Sequence, residues 1–293
     1  MNFYIETTNL TKQYKTKKAV DSVNIHVNQG DIYGLIGRNG AGKTTLMKLL
    51  LGLIEPTNGT MSLLNQNNDL ARSRIGSLIE APGLYNGATA YENMLRFSIL
   101  YGASPSEINP ILEKVGLPNE SRKVREFSLG MRQRLGLGIA LLNNPEVLIL
   151  DEPINGLDPA GIKEFRSIIQ KLNKEGVTFI ISSHILDELA KIVTTYGFLS
   201  DGKLIEELSA TELKNKCTDY GKIQTNDNPK ALTLINEKFL DANAKISNKY
   251  IEITAIDKLA DINEMLVKNG VAVSELTKHS ESVEDYFIRR LGK

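Results

Sequence analysis

The residues best suited to chemistry form a glycine-rich segment near the start of the chain, Gly37-Arg38-Asn39-Gly40-Ala41-Gly42-Lys43-Thr44-Thr45. The segment follows an apolar run, 32–36, that is typical of a strand, and precedes another, 46–51, that is typical of a helix. Glycines let backbone N–H groups turn towards an anion, and a helix N-terminus adds the positive end of its dipole. Lys43 can reach the β- and γ-phosphates of a nucleotide, and the Thr44 hydroxyl can hold Mg²⁺. The pattern therefore predicts a nucleoside triphosphate site rather than a glycine turn before a core helix.

Three further polar residues come at the ends of apolar runs that are typical of buried strands. Asp151 and Glu152 follow the run 147–150, and His184 follows the run 177–182. Ligands of open α/β sheets bind outside the carboxyl ends of the strands. We therefore expect Asp151 to face Mg²⁺, Glu152 to act as general base on an attacking water, and His184 to contact the γ-phosphate or orient that water. A strand-end histidine is often structural, but these neighbours favour a catalytic role.

The elements that must hold these residues follow from the apolar pattern. Continuous apolar strands alternating with helices predict an α/β fold with a parallel core sheet covered on both faces. Residues 2–8 and 22–28 alternate between apolar and polar, which predicts an antiparallel N-terminal β-subdomain. Residues 86–126 predict a helical insert that begins with a capping box at Thr89 and Glu92.

The C-terminal part of the chain has a different pattern, with short alternating strands and amphipathic helices. We therefore divide the chain into a nucleotide-binding domain, 1–207, and a small α+β accessory domain, 208–293. The second domain contains no motif that carries chemistry.

Composition limits the classes of partner and compartment. Lys+Arg and Asp+Glu are both 35, so the formal net charge is zero and gives no electrostatic case for binding nucleic acid. The single cysteine, Cys217, excludes an intrachain disulfide and fits a reducing compartment. We find neither a signal peptide nor an apolar run long enough to span a bilayer. These features predict a soluble chain whose membrane role would depend on a partner.

An aromatic residue, Tyr14, lies in a polar stretch ahead of the glycine-rich segment. It could stack on the adenine ring of a nucleotide, or it could pack against the edge of the sheet. Spacing favours neither alternative.

Together these residues resemble the ATP-binding cassette (ABC) ATPases that power membrane transporters. The segment 37–44 resembles the family's P-loop, 147–151 its Walker B strand, and 154–158 its D-loop. The signature L-S-G-G-Q followed by R-Q-R resembles 127–134, although Leu129 and Met131 replace the usual Gly and Gln.

The resemblance implies ATP and Mg²⁺ as cofactors and a role for each matching residue. In this family the signature faces the γ-phosphate held by the opposite subunit, so it also implies a head-to-tail dimer with a second copy. The implied catalytic residues are Glu152, His184 and Lys43, and the implied metal ligands are Thr44, Glu80 and Asp151. The implied nucleotide contacts are Tyr14, Gly37, Arg38, Asn39, Gly40, Ala41, Gly42, Lys43, Thr44, Thr45, Ser128, Gly130 and Asp158.

Glu80 departs from the family pattern, which normally has Gln at this strand end. With 81–85 directly after it and 90–93 further on, it resembles the bacitracin- and lantibiotic-immunity branch, whose transporters expel peptide antibiotics. That resemblance implies a peripheral subunit on the cytoplasmic face of the membrane, bound to an integral permease. The alternatives are an exporter ATPase for another drug or lipid, and an ABC ATPase without a membrane partner. Glu80 could also be an ordinary exposed loop residue.

Overall fold

The computed structural model describes residues 3–66, 68–117, 121–183, 186–217 and 219–291. The chain divides into two compact units, Met1–Ala210 and Thr211–Lys293. The predicted boundary at 207/208 falls inside a strand, Lys203–Ser209. Among the described residues, every helix is too short or too polar to cross a bilayer.

The first unit combines two sheets with helices, which confirms the predicted α/β class. Its strands are β1 (Ile5–Tyr14), β2 (Lys17–Val23), β3 (His26–Val27), β4 (Ile32–Ile36), β5 (Asn58–Leu63), β6 (Ile75–Leu78), β7 (Val147–Asp151), β8 (Thr178–Ser183), β9 (Thr195–Ser200) and β10 (Lys203–Ser209). Its helices are α1 (Lys43–Leu50), α2 (Asn68–Arg72), α3 (Ala90–Tyr101), α4 (Ile108–Lys114), α5 (Leu129–Ala140), α6 (Pro159–Lys174) and α7 (Leu186–Leu189), with 3-10 turns at Pro105–Glu107 and Val124–Glu126.

The six-stranded core sheet has the order β10-β9-β4-β8-β7-β6 and is parallel except for β10. Every residue of β4, β7 and β8 is buried, as continuous apolar runs in a doubly covered sheet require. The register pairs Ile36 with Ser183 and Asp151 with Ser182. The carboxyl ends of β4, β7 and β8 therefore meet at one edge of the sheet.

The second sheet of this unit is antiparallel, with β1 between β2 and β3 and with β5 also paired to β1. Residues 22–28 form antiparallel strands, but in two pieces, β2 and β3. β2 ends at Val23 and β3 begins at His26, and between them the Ile25 N–H donates to the Thr7 hydroxyl rather than to a strand backbone. Tyr14, in the polar stretch ahead of the glycine-rich segment, is the last residue of β1.

The helical insert contains α3 and α4. Thr89 accepts a hydrogen bond from the Glu92 backbone, and the Glu92 carboxylate accepts one from the Thr89 backbone, which confirms the capping box. The Asn93 amide is fully buried and bonds the backbone of Tyr85 in both directions, which fixes the segment leading into α3.

The second unit contains one four-stranded antiparallel sheet and its helices. α8 (Ala210–Lys216) spans the boundary between the units in the sequence. The elements that follow are β11 (Asp219–Thr225), α9 (Asn228–Lys238), β12 (Lys245–Ser247), β13 (Tyr250–Ile253), α10 (Leu259–Lys268), β14 (Val273–Ser280) and α11 (Val283–Leu291), with 3-10 turns at Leu240–Ala242 and Ile256–Lys258. The sheet order is β12-β13-β11-β14, and isoleucines from β11 and β13 pack with apolar residues of α9 and α10 in a separate core.

Candidate functional site

The glycine-rich segment forms the turn between β4 and α1. Gly42 is the N-cap of α1, with a φ of 107°, and a Cβ at this position would lie 2.3 Å from the Ala19 carbonyl oxygen. A Cβ on Gly37 would lie 2.6 Å from the Leu199 carbonyl oxygen. Both positions therefore require glycine because of close backbone packing. In the described part of the chain, no side chain caps α1, so its first N–H groups are directed at the space beside the loop.

Lys43 is the first residue of α1, and its side chain is only 6% exposed. Its Nζ donates a hydrogen bond to the Gly37 carbonyl at 2.7 Å and lies 3.3 Å from Oε1 of Glu152. A buried ammonium needs such partners because it has lost its hydration. The lysine therefore lies folded back over the loop, next to the predicted general base.

A chain of short hydrogen bonds joins the strand ends at this edge. Thr44 Oγ1 donates to Oδ2 of Asp151 at 2.6 Å. Ser182 Oγ donates to the other carboxylate oxygen, Oδ1, at 2.5 Å and accepts from the Glu152 backbone N–H at 2.9 Å. Asp151 is thus held from both sides. Sequence analysis missed Ser182, for which the only signal was its place at the end of a buried strand.

Glu152 has a backbone φ of 49°, in the left-handed region that glutamate rarely adopts. Its N–H is held by Ser182 and its carboxylate lies beside Lys43. The strained turn directs the Glu152 side chain away from the strand, towards the glycine loop. Backbone strain of this kind concentrates at functional sites.

An open cavity of about 390 Å³ adjoins the loop, a volume within the range of about 300–1,000 Å³ usual for ligand pockets. Tyr14 lines it and is half exposed, with the Lys12 ammonium 5.3 Å from its ring centre. Tyr14 is thus placed where a ligand could reach it. The full lining is Tyr14, Lys17, Ala19, Asn39, Gly40, Ala41, Gly42, Lys43, Thr44, Thr45 and Glu152, of which Lys17 and Ala19 were not predicted.

The signature and D-loop residues lie elsewhere in the first unit and do not line this cavity. Ser128 caps α5 by accepting a hydrogen bond from the Met131 N–H, and Asp158 caps α6 by accepting one from the Gly161 N–H. Leu129 is 46% exposed, and its Cδ2 lies 3.1 Å from the position that a Cβ on Gly156 would occupy. The signature turn is therefore in contact with the D-loop of the same chain.

Two of the remaining predicted residues have distinct environments. Glu80 has a φ of 62° and pairs with Lys48 of α1, with 2.9 Å between its Oε1 and the lysine Nζ. Arg38 is exposed, and its carbonyl lies 3.5 Å from Nζ of Lys43. His184 lies outside the described residues, and its role stays a prediction.

The residues present fit a nucleotide with a magnesium ion. A buried cation, a glycine loop and an uncapped helix start suit a polyphosphate. The Thr44 hydroxyl and the Asp151 carboxylate are hard oxygen ligands 2.6 Å apart. Among the described residues no cluster of three or more His, Cys, Asp or Glu forms a metal cage. Mg²⁺ usually keeps waters and binds through few protein ligands and the phosphates.

The comparisons with known proteins identify the family of the chain. A family model described as ABC transporter matches residues 20–155. The chain is 44% identical over 302 residues to the bacitracin transport ATP-binding protein BcrA of Bacillus licheniformis, covering 100% of this chain and 98% of that protein. It is 47% identical over 207 residues to the lantibiotic transport ATP-binding protein SrtF of Streptococcus pyogenes, covering 69% of this chain and 90% of that protein. A bacterial ABC transporter cassette solved as a dimer has a TM-score of 0.62 at 26% identity, covering 70% of this chain and 98% of the other.

Proposed function

Because the chain belongs to the family of ABC transporter ATP-binding proteins, we propose that it powers the export of a peptide antibiotic of the bacitracin or lantibiotic type. Proteins of this family are ATPases, and this chain is one of them. The observation that carries the proposal is the meeting of Lys43, Glu152 and the Thr44–Asp151 pair at one edge of the sheet. The substrate class is supported by the bacitracin transport relative, whose similarity includes both units.

In this proposal the charged pair at the loop separates when nucleotide binds. Lys43 exchanges the Gly37 carbonyl and Glu152 for phosphate oxygens, which frees the Glu152 carboxylate to accept a proton from water. Ser182 keeps Asp151 and the Glu152 backbone in place throughout. Mg²⁺, held by Thr44 and Asp151 with Glu80 nearby, would neutralise charge on the phosphates. His184 would orient the water.

The exposed start of α5 supports a second part of the proposal. Ser128 and Gly130 lie at a helix N-terminus that faces solvent rather than the cavity of their own chain. We propose that this turn and Asp158 meet the nucleotide held by a second copy. The dimeric cassette to which the chain is similar supports the pairing of two copies. Loss of the γ-phosphate would then open the dimer and drive the membrane partner.

A groove of about 370 Å³ on the first unit supports the proposed permease partner. Leu53 and Tyr101 line it and are 62% and 51% exposed. Exposed apolar side chains gathered around a groove mark interaction sites. We propose that the permease docks here, which would hold the chain at the cytoplasmic face of the membrane.

As a test, the chain is expressed in an antibiotic-sensitive bacterium together with a candidate permease, chosen as a multi-span membrane protein encoded beside its gene. The parent chain is expected to copurify with that protein and to raise the inhibitory concentration of a bacitracin-type peptide. Leu53→Glu is expected to abolish both effects, since it puts a charge into the groove. Leu240→Glu, at an 87% exposed leucine of the second unit, is the matched control and is expected to retain both.

Two outcomes would contradict different parts of the proposal. If the chain hydrolyses ATP and copurifies but gives no resistance to any peptide antibiotic tested, the substrate class is wrong. If Leu53→Glu still copurifies as the parent does, the groove is not the docking surface.

A further inference from the structure

Glu80 lies at the same sheet edge as the residues proposed for catalysis. It is two residues beyond the end of β6, and β6 runs parallel to β7 with Leu78 opposite Leu150. The chain therefore leaves both strands at the same level, Glu80 from one and Glu152 from the other. Both glutamates have left-handed backbone conformations, with φ values of 62° and 49°. Glu80 does not line the cavity, but β6 is the neighbour of β7, so its charge lies one strand away from the Thr44–Asp151 pair.

The partner of Glu80 comes from the helix that starts at that site. Lys48 lies four residues after Thr44 in α1, so the two side chains share one face of the helix. Its Nζ lies 2.9 Å from Oε1 of Glu80, and the two side chains are 34% and 67% exposed. A surface ion pair of this kind contributes little to folding stability. The same ion pair also sets the net charge that a highly charged ligand would meet at this edge.

Resting on the ATPase function proposed above, we infer that Lys48 is a positioning residue that allows a carboxylate to occupy position 80. The lysine neutralises Glu80 and keeps its side chain against α1. Without Lys48, the Glu80 side chain would be free to turn towards the phosphates, and its negative charge would repel them. A neutral glutamine at position 80 would need no such partner. The two positions should therefore be energetically coupled in nucleotide binding.

Equilibrium titration with ATP tests the coupling in four chains: the parent, Lys48→Ala, Glu80→Gln and the double variant. Lys48→Ala is expected to weaken ATP binding about three- to tenfold at low salt, because the Glu80 charge is left uncompensated. The double variant is expected to bind as tightly as Glu80→Gln, because an amide has no charge to compensate. The loss in Lys48→Ala should shrink at high salt, which screens the repulsion.

Repeating the titrations in EDTA keeps magnesium out, and the loss should persist because its source is the phosphate charge. Lys114→Ala is the matched control. Lys114 also pairs with a glutamate on the first unit, with 2.6 Å between its Nζ and Oε2 of Glu175, but it lies at the end of α4 in the helical insert rather than on α1. This variant is expected to bind ATP like the parent.

Two results would overturn the inference. One is unchanged ATP affinity in Lys48→Ala. The other is a double variant as weak as Lys48→Ala, which would mean that the lysine acts directly on the ligand or the fold rather than through Glu80. A parent chain that binds no ATP would instead refute the proposed function, so the two failures are distinguishable.

Discussion

Two helix starts in the first unit are proposed to contact phosphate, and they are built differently. The N-cap of α1 is Gly42, which has a φ of 107° and provides no side-chain cap, and the buried ammonium of Lys43 follows it. The N-cap of α5 is Ser128, which is exposed and whose hydroxyl accepts a hydrogen bond from the Met131 N–H at 3.2 Å. The first start already has a cation and a cavity within one chain. The second is capped and solvated, so we expect it to bind phosphate only when a second chain presents it.

The largest change in ATP turnover is expected from Glu152→Gln. This variant tests whether both helix starts hold the same ATP between two chains. Removing the proposed general base should lower ATP turnover about 100- to 10,000-fold while leaving both helix starts intact. Bound ATP would then persist and hold two chains together. Turnover by steady-state phosphate release and association state by light scattering with ATP provide the measurements. Equal turnover in variant and parent would refute the assignment of Glu152.

Lys43→Ala acts on the α1 start alone. Losing charge-assisted hydrogen bonds to phosphate should weaken ATP binding about 10- to 100-fold, measured by titration calorimetry. Lys171→Ala, at an exposed lysine of α6, is the matched control and should bind like the parent. Thermal unfolding without nucleotide checks that Lys43→Ala still folds. If folded Lys43→Ala keeps parental affinity, the loop is not the nucleotide site.

Ser128→Asp acts on the α5 start alone. Aspartate caps helices as serine does, but it adds a negative charge where a γ-phosphate is proposed to lie. In the Glu152→Gln background we expect ATP-driven pairing to weaken about tenfold through repulsion, with the ATP affinity of the single chain unchanged. Thr89→Asp makes a similar change at the N-cap of α3 and should leave pairing intact. Equal pairing in Ser128→Asp would contradict the proposed contact across the dimer.

Local sequence patterns predicted the residues at the start of α1 better than they predicted the strands packed around it. The strand, glycine loop and helix around Lys43 are consecutive in the chain, and so are β7 and its terminal Asp151, so spacing was enough to find them. Capping at Thr89 was equally local. The hairpin of β9 and β10 was not predicted, because its strands lack a motif at either end. Its place beside β4 depends on how the whole sheet packs.

The sequence by itself determined which residues can do chemistry, because backbone conformation and side-chain type act over a few consecutive positions. The tertiary structure decided which of them meet. Sheet order placed β8 between β4 and β7, and this is why Ser182 holds Asp151 and the Glu152 backbone. Folding of α1 against this edge paired Lys48 with Glu80. Such contacts join segments far apart in the chain, and their selection depends on how the whole apolar core packs.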